Sequence, residues 1–248
     1  MKKIVWIDVG THFAQEHSSI FGSNLSLSFH ILKRFIGSKF LARRKFVSIK
    51  ELRKIIILRN KIRKYRLRFF SIFIEANSKI VHEKNNYANA DLTFNLALTD
   101  NSEPPFSIMK LYLGNRDKFS QGSSLFLEKE NVYEDSFIPA ISIPSSDMFK
   151  VLEKYLSQRF DNYVVLLRLN CEGVEDEVIY SAYESFGIKL KLLCGSLKDV
   201  KSIKGDDSLE KLKKFMSDME LEFQTFHSRA DSWLKPYLEI LKLVENIN

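Results

Sequence analysis

The first sixteen residues constrain the fold of this chain more than any other segment. The apolar run Ile4–Ile7 ends at Asp8 and Gly10, and Thr11 and His12 follow directly. An apolar run that stops at an acid and a glycine is typical of a buried parallel strand that turns towards a helix. At such a junction the glycine allows close backbone approach to a ligand, and the helix start offers free N–H groups to an anion. An ordinary strand-to-loop turn has the same pattern, with the acid capping the turn.

Two later segments repeat the pattern of an apolar strand that ends in polar residues. The run Phe69–Ile74 ends at Glu75, and the run Tyr163–Leu169 enters the polar cluster Asn170–Glu175. A carboxylate at the tip of the second strand can accept hydrogen bonds from both hydroxyls of a ribose, as dinucleotide and adenosyl cofactors require. We therefore expect three strand tips to line one edge of one sheet.

The rest of the chain alternates between strand-like and helix-like segments. Further strands are predicted at 107–113, 124–127, 137–143, 190–194 and 222–227, and helices at 146–160, 175–186, 208–217 and 232–244. This alternation predicts an α/β fold with a mostly parallel sheet and helices on both faces. Because 248 residues with 45% hydrophobic composition can bury one sizeable core, we expect residues 1–248 to form a single domain.

Positive charge is concentrated in one segment. Fifteen of the 38 Lys and Arg residues lie between Lys33 and Arg68, together with a single acid, Glu51. In the rest of the chain the acids outnumber the bases by about seven. About sixty residues separate the first strand from the second, more than a single crossover helix needs. The sequence therefore predicts a basic insertion at about residues 25–68.

The basic insertion is predicted to be helical. Ser48–Glu51 has the pattern of a capping box, and a second helix is predicted at 27–36, ending before Gly37. Apolar residues recur at near-helical spacing, namely Leu52, Ile55, Ile56, Ile62 and Tyr65. The bases form either a solvated face or a surface for an anionic partner, which could be a membrane, an acidic glycan or lipid-linked phosphate, or nucleic acid. Isoleucine beside arginine favours a membrane, and scarce aromatic residues argue against base stacking.

Three of these segments together resemble the FkbM-like family of S-adenosylmethionine-dependent methyltransferases. Ile7–Gly10 resembles the first cofactor motif, Phe73–Asn77 the second, and Leu167–Glu175 the Lys-x-Asp-x-Glu-Gly-x-Glu-like stretch. Asn95–Leu98 and Gly122–Ser124 agree with an Ala-Leu step and a Gly-Ser-Ser step of the family. The resemblance covers residues 3 to about 186. It implies a Rossmann-like class I methyltransferase fold that binds S-adenosylmethionine.

The resemblance also implies a set of site residues. The expected cofactor-binding residues are Asp8, Gly10, Thr11, His12, Glu75, Ala76, Asn95, Ala97 and Asn170. Asp8 is expected to act indirectly, by holding the loop and the amino group of the methionine moiety. Glu172 and His227 are the candidate catalytic bases, although Glu172 could instead stabilise the first turn of the next helix together with Glu175 and Asp176. No metal site is predicted, although the same acidic cluster could hold a divalent ion.

Two positions depart from the family pattern. Ala14 stands where the glycine-rich loop usually has a second glycine, and its methyl group is expected to narrow the approach to the methionine end of the cofactor. Asn170 stands where the family usually has Asp, which removes one negative charge.

The predicted function is O-methylation of a sugar hydroxyl on a glycan or glycolipid. The alternative is a catalytically silent methyltransferase-fold protein that docks on an anionic surface or partner. A nucleic-acid methyltransferase ranks third, because neither an Asp/Asn-Pro-Pro-aromatic motif nor a Pro-Cys nucleophile occurs. The sequence has no signal-peptide pattern and no apolar run of membrane-spanning length. Cys171 and Cys194 are expected to be reduced thiols, so a cytoplasmic protein, with possible peripheral contact at the membrane, is predicted.

Overall fold

The computed structural model describes residues 2–23, 48–82, 87–114, 122–227 and 232–247. The strands are β1 (Lys3–Val9), β2 (Phe69–Ile74), β3 (Leu92–Phe94), β4 (Ala97–Thr99), β5 (Ser107–Gly114), β6 (Val132–Pro144), β7 (Tyr163–Leu169), β8 (Leu190–Gly195) and β9 (Phe223–Thr225). The helices are α1 (Gln15–Phe21), α2 (Ile49–Arg63), α3 (Ser78–Val81), α4 (Ser145–Arg159), α5 (Glu175–Phe186), α6 (Lys198–Lys204), α7 (Asp206–Asp218) and α8 (Leu234–Glu245). None of these helices is both long and apolar enough to cross a bilayer.

Six strands form the main sheet, in the order β3-β2-β1-β7-β8-β9, and every neighbouring pair is parallel. The central strands are continuous apolar runs because parallel strands are buried on both faces. At the end of β1, Val9 pairs with Ile74 of β2 and with Leu169 of β7. The strand order reverses between β1 and β7, which is the point where open α/β sheets bind ligands. The predicted α/β class and mostly parallel sheet are confirmed, and the order is compatible with a Rossmann-like fold.

Helices cover both faces of the main sheet because successive side chains of each strand point to opposite sides. Val5 and Ile7 of β1 pack with buried residues of α4, α5 and α7, such as Phe149. On the other face, Trp6 packs with buried residues of α1, α2 and α8, such as Tyr237. Each face thus has its own apolar cluster.

A second, three-stranded sheet lies between β3 and α4 in the chain, in the order β4-β6-β5. The strands expected at 107–113 and 137–143 are present, within β5 and β6. They were expected to join a single sheet, and the separate sheet corrects that expectation. Residues 124–127 are not a strand, since only Ser124 pairs, with Tyr112. β5 and β6 run antiparallel and pair with each other. Neither strand pairs with a strand of the main sheet.

Helix α2 is the described part of the predicted insertion. Ser48 accepts a hydrogen bond from the Glu51 N–H at 3.1 Å, which confirms the predicted helix start, while the Glu51 carboxylate accepts the Ser232 hydroxyl. The helix contacts α1 and α8 on one face of the sheet and, like α1, lies in the connection between β1 and β2. Ile56 was expected on the packed face but is exposed, whereas Arg59 is buried. The helix predicted at 27–36 lies outside the described residues.

Candidate functional site

A cavity of about 240 Å³ lies at the carboxyl ends of β1, β2 and β7. Leu98 of β4, Leu111 of β5 and the segment 122–125 also line it, so the small sheet forms one of its walls. Nine of the residues predicted for the site line this cavity: Gly10, Thr11, His12, Glu75, Ala76, Ala97, Asn170, Glu172 and His227. The topology thus brings together residues that are up to 217 positions apart in the chain.

The loop after β1 is fastened to β2 by its backbone. The N–H groups of Gly10 and Thr11 donate to the carbonyl oxygen of Ile74 at 3.0 and 3.3 Å. The Thr11 hydroxyl donates to the carbonyl oxygen of Asp8 at 2.7 Å. These two N–H groups are therefore not free for an anionic ligand, because β2 already accepts from them.

Gly10 is required by the packing of two strand ends. Its φ is 67°, and a Cβ built on it would lie 2.2 Å from the carbonyl oxygen of Asn170. A side chain would thus meet the β7 backbone before it met a ligand. Ala14 also has a positive φ, 48°, but it is buried and does not line the cavity. Its methyl group therefore has no part in the wall of this cavity, although it was expected to narrow a ligand's approach.

Glu75 lies at the tip of β2 and connects two loops at the cavity. Its Oε2 accepts the N–H of His12 at 2.6 Å, and its Oε1 accepts the N–H of Asn77 at 2.8 Å. Burial raises the pKa of this carboxyl, and the N–H groups of Asn77 and His12 and the nearby Arg168 partly offset that effect. Glu75 lines the cavity, and a carboxylate oxygen that accepts one hydrogen bond keeps a second lone pair, so Glu75 can accept a hydrogen bond from a ligand there.

Asn95 supports Glu75 from outside the cavity. Its side-chain amide donates to the carbonyl oxygens of Glu75 and Ala76 at 2.8 and 3.2 Å. Asn95 does not line the cavity, so the structure gives it a loop-holding position instead of the predicted direct contact. Ala76 and Ala97 do lie in the cavity wall.

A buried ion network underlies the cavity floor. Arg168 of β7 donates to Asp8 Oδ1 and to Glu16 Oε2, both at 2.9 Å, and to the carbonyl oxygen of Gly10 at 2.9 Å. Burial raises the pKa of Asp8 to about 6, although Arg168 opposes this shift. Asp8 does not line the cavity. Its position agrees with the expected loop-holding role, but its side chain is buried outside the cavity, so the expected contact with the amino group of a methionine moiety is wrong.

Sequence reasoning assigned no role to Arg168. The signal was present, because a lone arginine in a strand expected to be fully buried needs a charged or polar partner. Its partners could not be named from sequence, since Asp8 and Glu16 are 160 and 152 residues away along the chain.

Glu172 lies in the loop after β7 and is held by two side chains. Asn170 Nδ2 donates to its Oε1 at 3.1 Å, and Lys129 forms an ion pair with its Oε2. An amide at position 170 can donate to the neighbouring carboxylate, whereas an aspartate there would repel it. Asn170 therefore fits this particular site. Glu172 has a φ of 63°, an uncommon conformation that clusters at functional sites.

Glu175 holds the same loop from the start of α5. Its two carboxylate oxygens accept the N–H groups of Glu172 and Gly173 at 2.7 and 2.9 Å. Burial raises the pKa of Glu175 to about 7, against the lowering effect of hydrogen bonds from its own N–H and from that of Gly173. The carboxylate at the start of α5 is thus supplied by Glu175, while the Glu172 side chain lines the cavity.

The far wall of the cavity follows β8 and β9. Ser196, Lys198 and Asp199 come from the loop and helix start after β8, and His227 comes just after β9. The sequence predicted His227 at the end of a strand, which the structure confirms, but it gave no signal for Lys198 or Asp199. The described residues include no group of three or more His, Cys, Asp or Glu side chains that could share a metal ion.

The described lining of the cavity carries an excess of negative charge. Five acids line it, against three bases: Glu16, Glu75, Glu130, Glu172 and Asp199 against Lys129, Arg168 and Lys198. A partly enclosed cavity with this balance attracts a cation in preference to an anion.

The fold and this cavity define an α/β protein with a parallel sheet and a polar, acidic pocket at the switch point of the strand order. Comparison of the chain with protein-family models, with curated proteins and with solved structures gave no match.

Proposed function

We propose that this protein is an S-adenosylmethionine-dependent methyltransferase. The observation that carries the proposal is the position of Glu75, a buried carboxylate at the tip of the second strand, in an electronegative cavity beside the switch point. A carboxylate at this position suits the two ribose hydroxyls of an adenosyl group. The acidic lining suits a sulfonium cation, and the resemblance of three segments to FkbM-like methyltransferases supports the same cofactor.

The loop after β1 favours this cofactor over a dinucleotide. A dinucleotide places its pyrophosphate against free N–H groups of a glycine-rich turn and helix start. Here β2 accepts from the N–H groups of Gly10 and Thr11, and Glu75 accepts from that of His12. The N–H groups of residues 10–12 are therefore already bonded, and the Glu75 carboxylate beside them would repel a pyrophosphate.

Different residues in and around the cavity would have different roles in the reaction. Glu75 would hold the ribose, and the Asp8–Arg168–Glu16 network would fix the loop after β1. S-adenosylmethionine, when bound, would supply an electrophilic methyl group, which passes to the acceptor as its bond to sulfur breaks and S-adenosylhomocysteine leaves. The protein must position the acceptor and remove its proton. Glu172 and His227 line the cavity and are the proposed bases.

The proposed acceptor is a sugar hydroxyl on a glycan or glycolipid, a class that rests on the family resemblance. A catalytically silent protein of the same fold is the second candidate, and one observation favours it. Lys129 and Asn170 already engage both oxygens of Glu172, so each oxygen keeps only one lone pair for the proton of an acceptor.

Calorimetric titration with S-adenosylhomocysteine tests the cofactor, with NAD as the matched control because it shares the adenosine. We expect saturable binding of S-adenosylhomocysteine and none of NAD. Binding of NAD alone, or of neither ligand, would reject the proposal.

Transfer of a labelled methyl group to an acceptor library separates an enzyme from a silent protein. We expect Glu172→Gln or His227→Asn to lower the rate by about 100-fold or more, as loss of a general base does, with cofactor affinity retained. Cofactor binding without transfer to any acceptor would favour the silent alternative.

A further inference from the structure

Helix α2 presents an outer face that the proposed function leaves unexplained. One side of the helix is buried through Ile55, Leu58, Arg59 and Ile62, against α1 and α8. The opposite side is exposed along the length of the helix. None of its residues lines the cavity described above, so this outer face has no part in cofactor binding.

The outer face combines apolar and basic side chains. Ile49 is 73% exposed, Ile57 55% and Ile56 38%. They recur at i, i+7 and i+8, the spacing of one helix face. Six exposed bases accompany them: Lys50, Arg53, Lys54, Lys61, Arg63 and Lys64. The only acid of the helix, Glu51, is half-buried and accepts the Ser232 hydroxyl.

We infer that the outer face of α2 docks on an anionic lipid surface. Basic residues near an anionic leaflet each strengthen binding, and apolar side chains of the same face insert at the boundary between headgroups and acyl chains. The six bases of this face complement the negative charge of the lipid headgroups, and the face has no exposed acid to oppose them. The three exposed isoleucines can enter the apolar layer beneath the headgroups. Leu67, 82% exposed and flanked by Arg66 and Arg68, extends the same combination beyond the helix end.

Nucleic acid fits this face less well than lipid does. Phosphate backbones would satisfy the bases, but the exposed isoleucines have no base-stacking capacity, and α2 carries no aromatic residue. Binding to lipid would therefore depend on the isoleucines, whereas binding to nucleic acid would not.

Sedimentation with vesicles of phosphatidylcholine and phosphatidylserine measures the docking, with pure phosphatidylcholine vesicles as the reference. We expect binding to the mixed vesicles that weakens as salt rises. The triple variant Arg53→Gln, Lys61→Gln, Lys64→Gln should lower the partition coefficient by about 100-fold, at about fivefold per base. The double variant Ile49→Ser, Ile57→Ser should lower it by about tenfold.

A matched control uses three exposed lysines of α7, which packs on the opposite face of the main sheet. The variant Lys211→Gln, Lys213→Gln, Lys214→Gln removes the same charge and should change partitioning by less than about twofold. Circular dichroism and thermal unfolding confirm that each variant is folded.

Three results would overturn the inference. The first is no binding to phosphatidylserine vesicles, or binding that the α2 variants leave unchanged. The second is tight binding of duplex DNA or RNA that the triple variant abolishes and the isoleucine variant does not affect. The third is self-association that the isoleucine variant abolishes, which would make a second copy of the chain the occupant.

Discussion

At the scale of single residues, Gly10 determines how closely the ends of β1 and β7 approach. We predict that Gly10→Ala lowers the free energy of unfolding by about 3 kcal/mol, because the new methyl group adds a clash with the Asn170 carbonyl to the cost of a positive φ. Gly187 is the matched control, since its φ is 51° and a Cβ there has nothing within 4 Å. Gly187→Ala should cost only the backbone strain, about 1 to 2 kcal/mol.

Urea unfolding of the two variants measures the difference. Equal losses in both would mean that the contact with Asn170 does not constrain position 10, and that only the backbone angle does.

His17 is a buried base whose titration opposes that of the buried acids. Its Nε2 lies 2.9 Å from the Ser71 hydroxyl, and burial lowers the pKa of His17 to about 3. As the pH falls, His17 becomes protonated near pH 6.5 in the unfolded chain but only near pH 3 in the folded chain. His17 therefore contributes stability that is present above pH 6.5 and is lost as the pH falls towards 3.

We predict that wild type loses stability relative to His17→Phe by about 1 kcal/mol per pH unit between about pH 6 and 4. Because both proteins contain Asp8 and Glu175, the pH dependence of stability that these two acids cause cancels in the comparison. Burial raises the pKa values of these acids to about 6 and about 7, so their stabilising effect is lost as the pH rises. Denaturant unfolding of both proteins at several pH values measures the difference. A stability difference that does not vary with pH would show that folding leaves the pKa of His17 unchanged.

At the scale of elements, α1 and α2 are joined by a buried arginine. Arg59 of α2 donates to the carbonyl oxygens of Ser19, Gly22 and Ser23 at 2.9, 2.6 and 3.2 Å. These carbonyls belong to the last turn of α1 and the residues after it, which a cation stabilises. Counting Arg59 among the bases of an exposed surface was therefore wrong.

We predict that Arg59→Met lowers the free energy of unfolding by about 3 kcal/mol, because it removes three charge-assisted hydrogen bonds, one of them to the buried carbonyl of Ser19. Arg53→Met on the exposed side of the same helix is the control and should stay within about 0.5 kcal/mol of wild type. Thermal and urea unfolding measure both. Similar small effects of the two substitutions would mean that water replaces the guanidinium at the end of α1.

The elements that were predictable from sequence are those whose signal is local. β1, β2, β7 and α5 follow continuous apolar runs or a clear helical period, and β2, β7 and α5 have the predicted bounds. The start of α2 follows from Ser48. The second sheet was not predictable, because β6 begins with polar residues such as Glu134 and Asp135, and this part of the strand forms by pairing with β5.

The same limit applies to the candidate site. Gly10, Glu75 and Glu172 stand at strand ends and could be found from sequence. The partners that fix them, such as Arg168 and Lys129, depend on contacts between distant segments, for which one sequence carries no signal.

At the scale of the whole molecule, the parallel sheet places three strand ends around one acidic cavity, and the basic α2 on one of the covered faces. The net charge of +7 thus conceals two regions of opposite sign. The cavity would take the cationic cofactor, and α2 would face an anionic surface.

The most direct test of the proposed cofactor site compares S-adenosylhomocysteine with its 2′-deoxy analogue. If Glu75 holds the ribose, wild type should bind the analogue about ten- to a hundredfold more weakly, and Glu75→Ala should bind both ligands within about threefold of each other. Asn95→Ala is the control, because Asn95 supports the Glu75 loop from outside the cavity. It should lower both affinities and keep the discrimination.

Calorimetric titration of the three proteins with both ligands decides the question. The account predicts discrimination in wild type and Asn95→Ala and its loss in Glu75→Ala. Equal weakening of both ligands in Glu75→Ala, with the wild-type discrimination retained, would contradict it and leave Glu75 as a residue that only holds the loops.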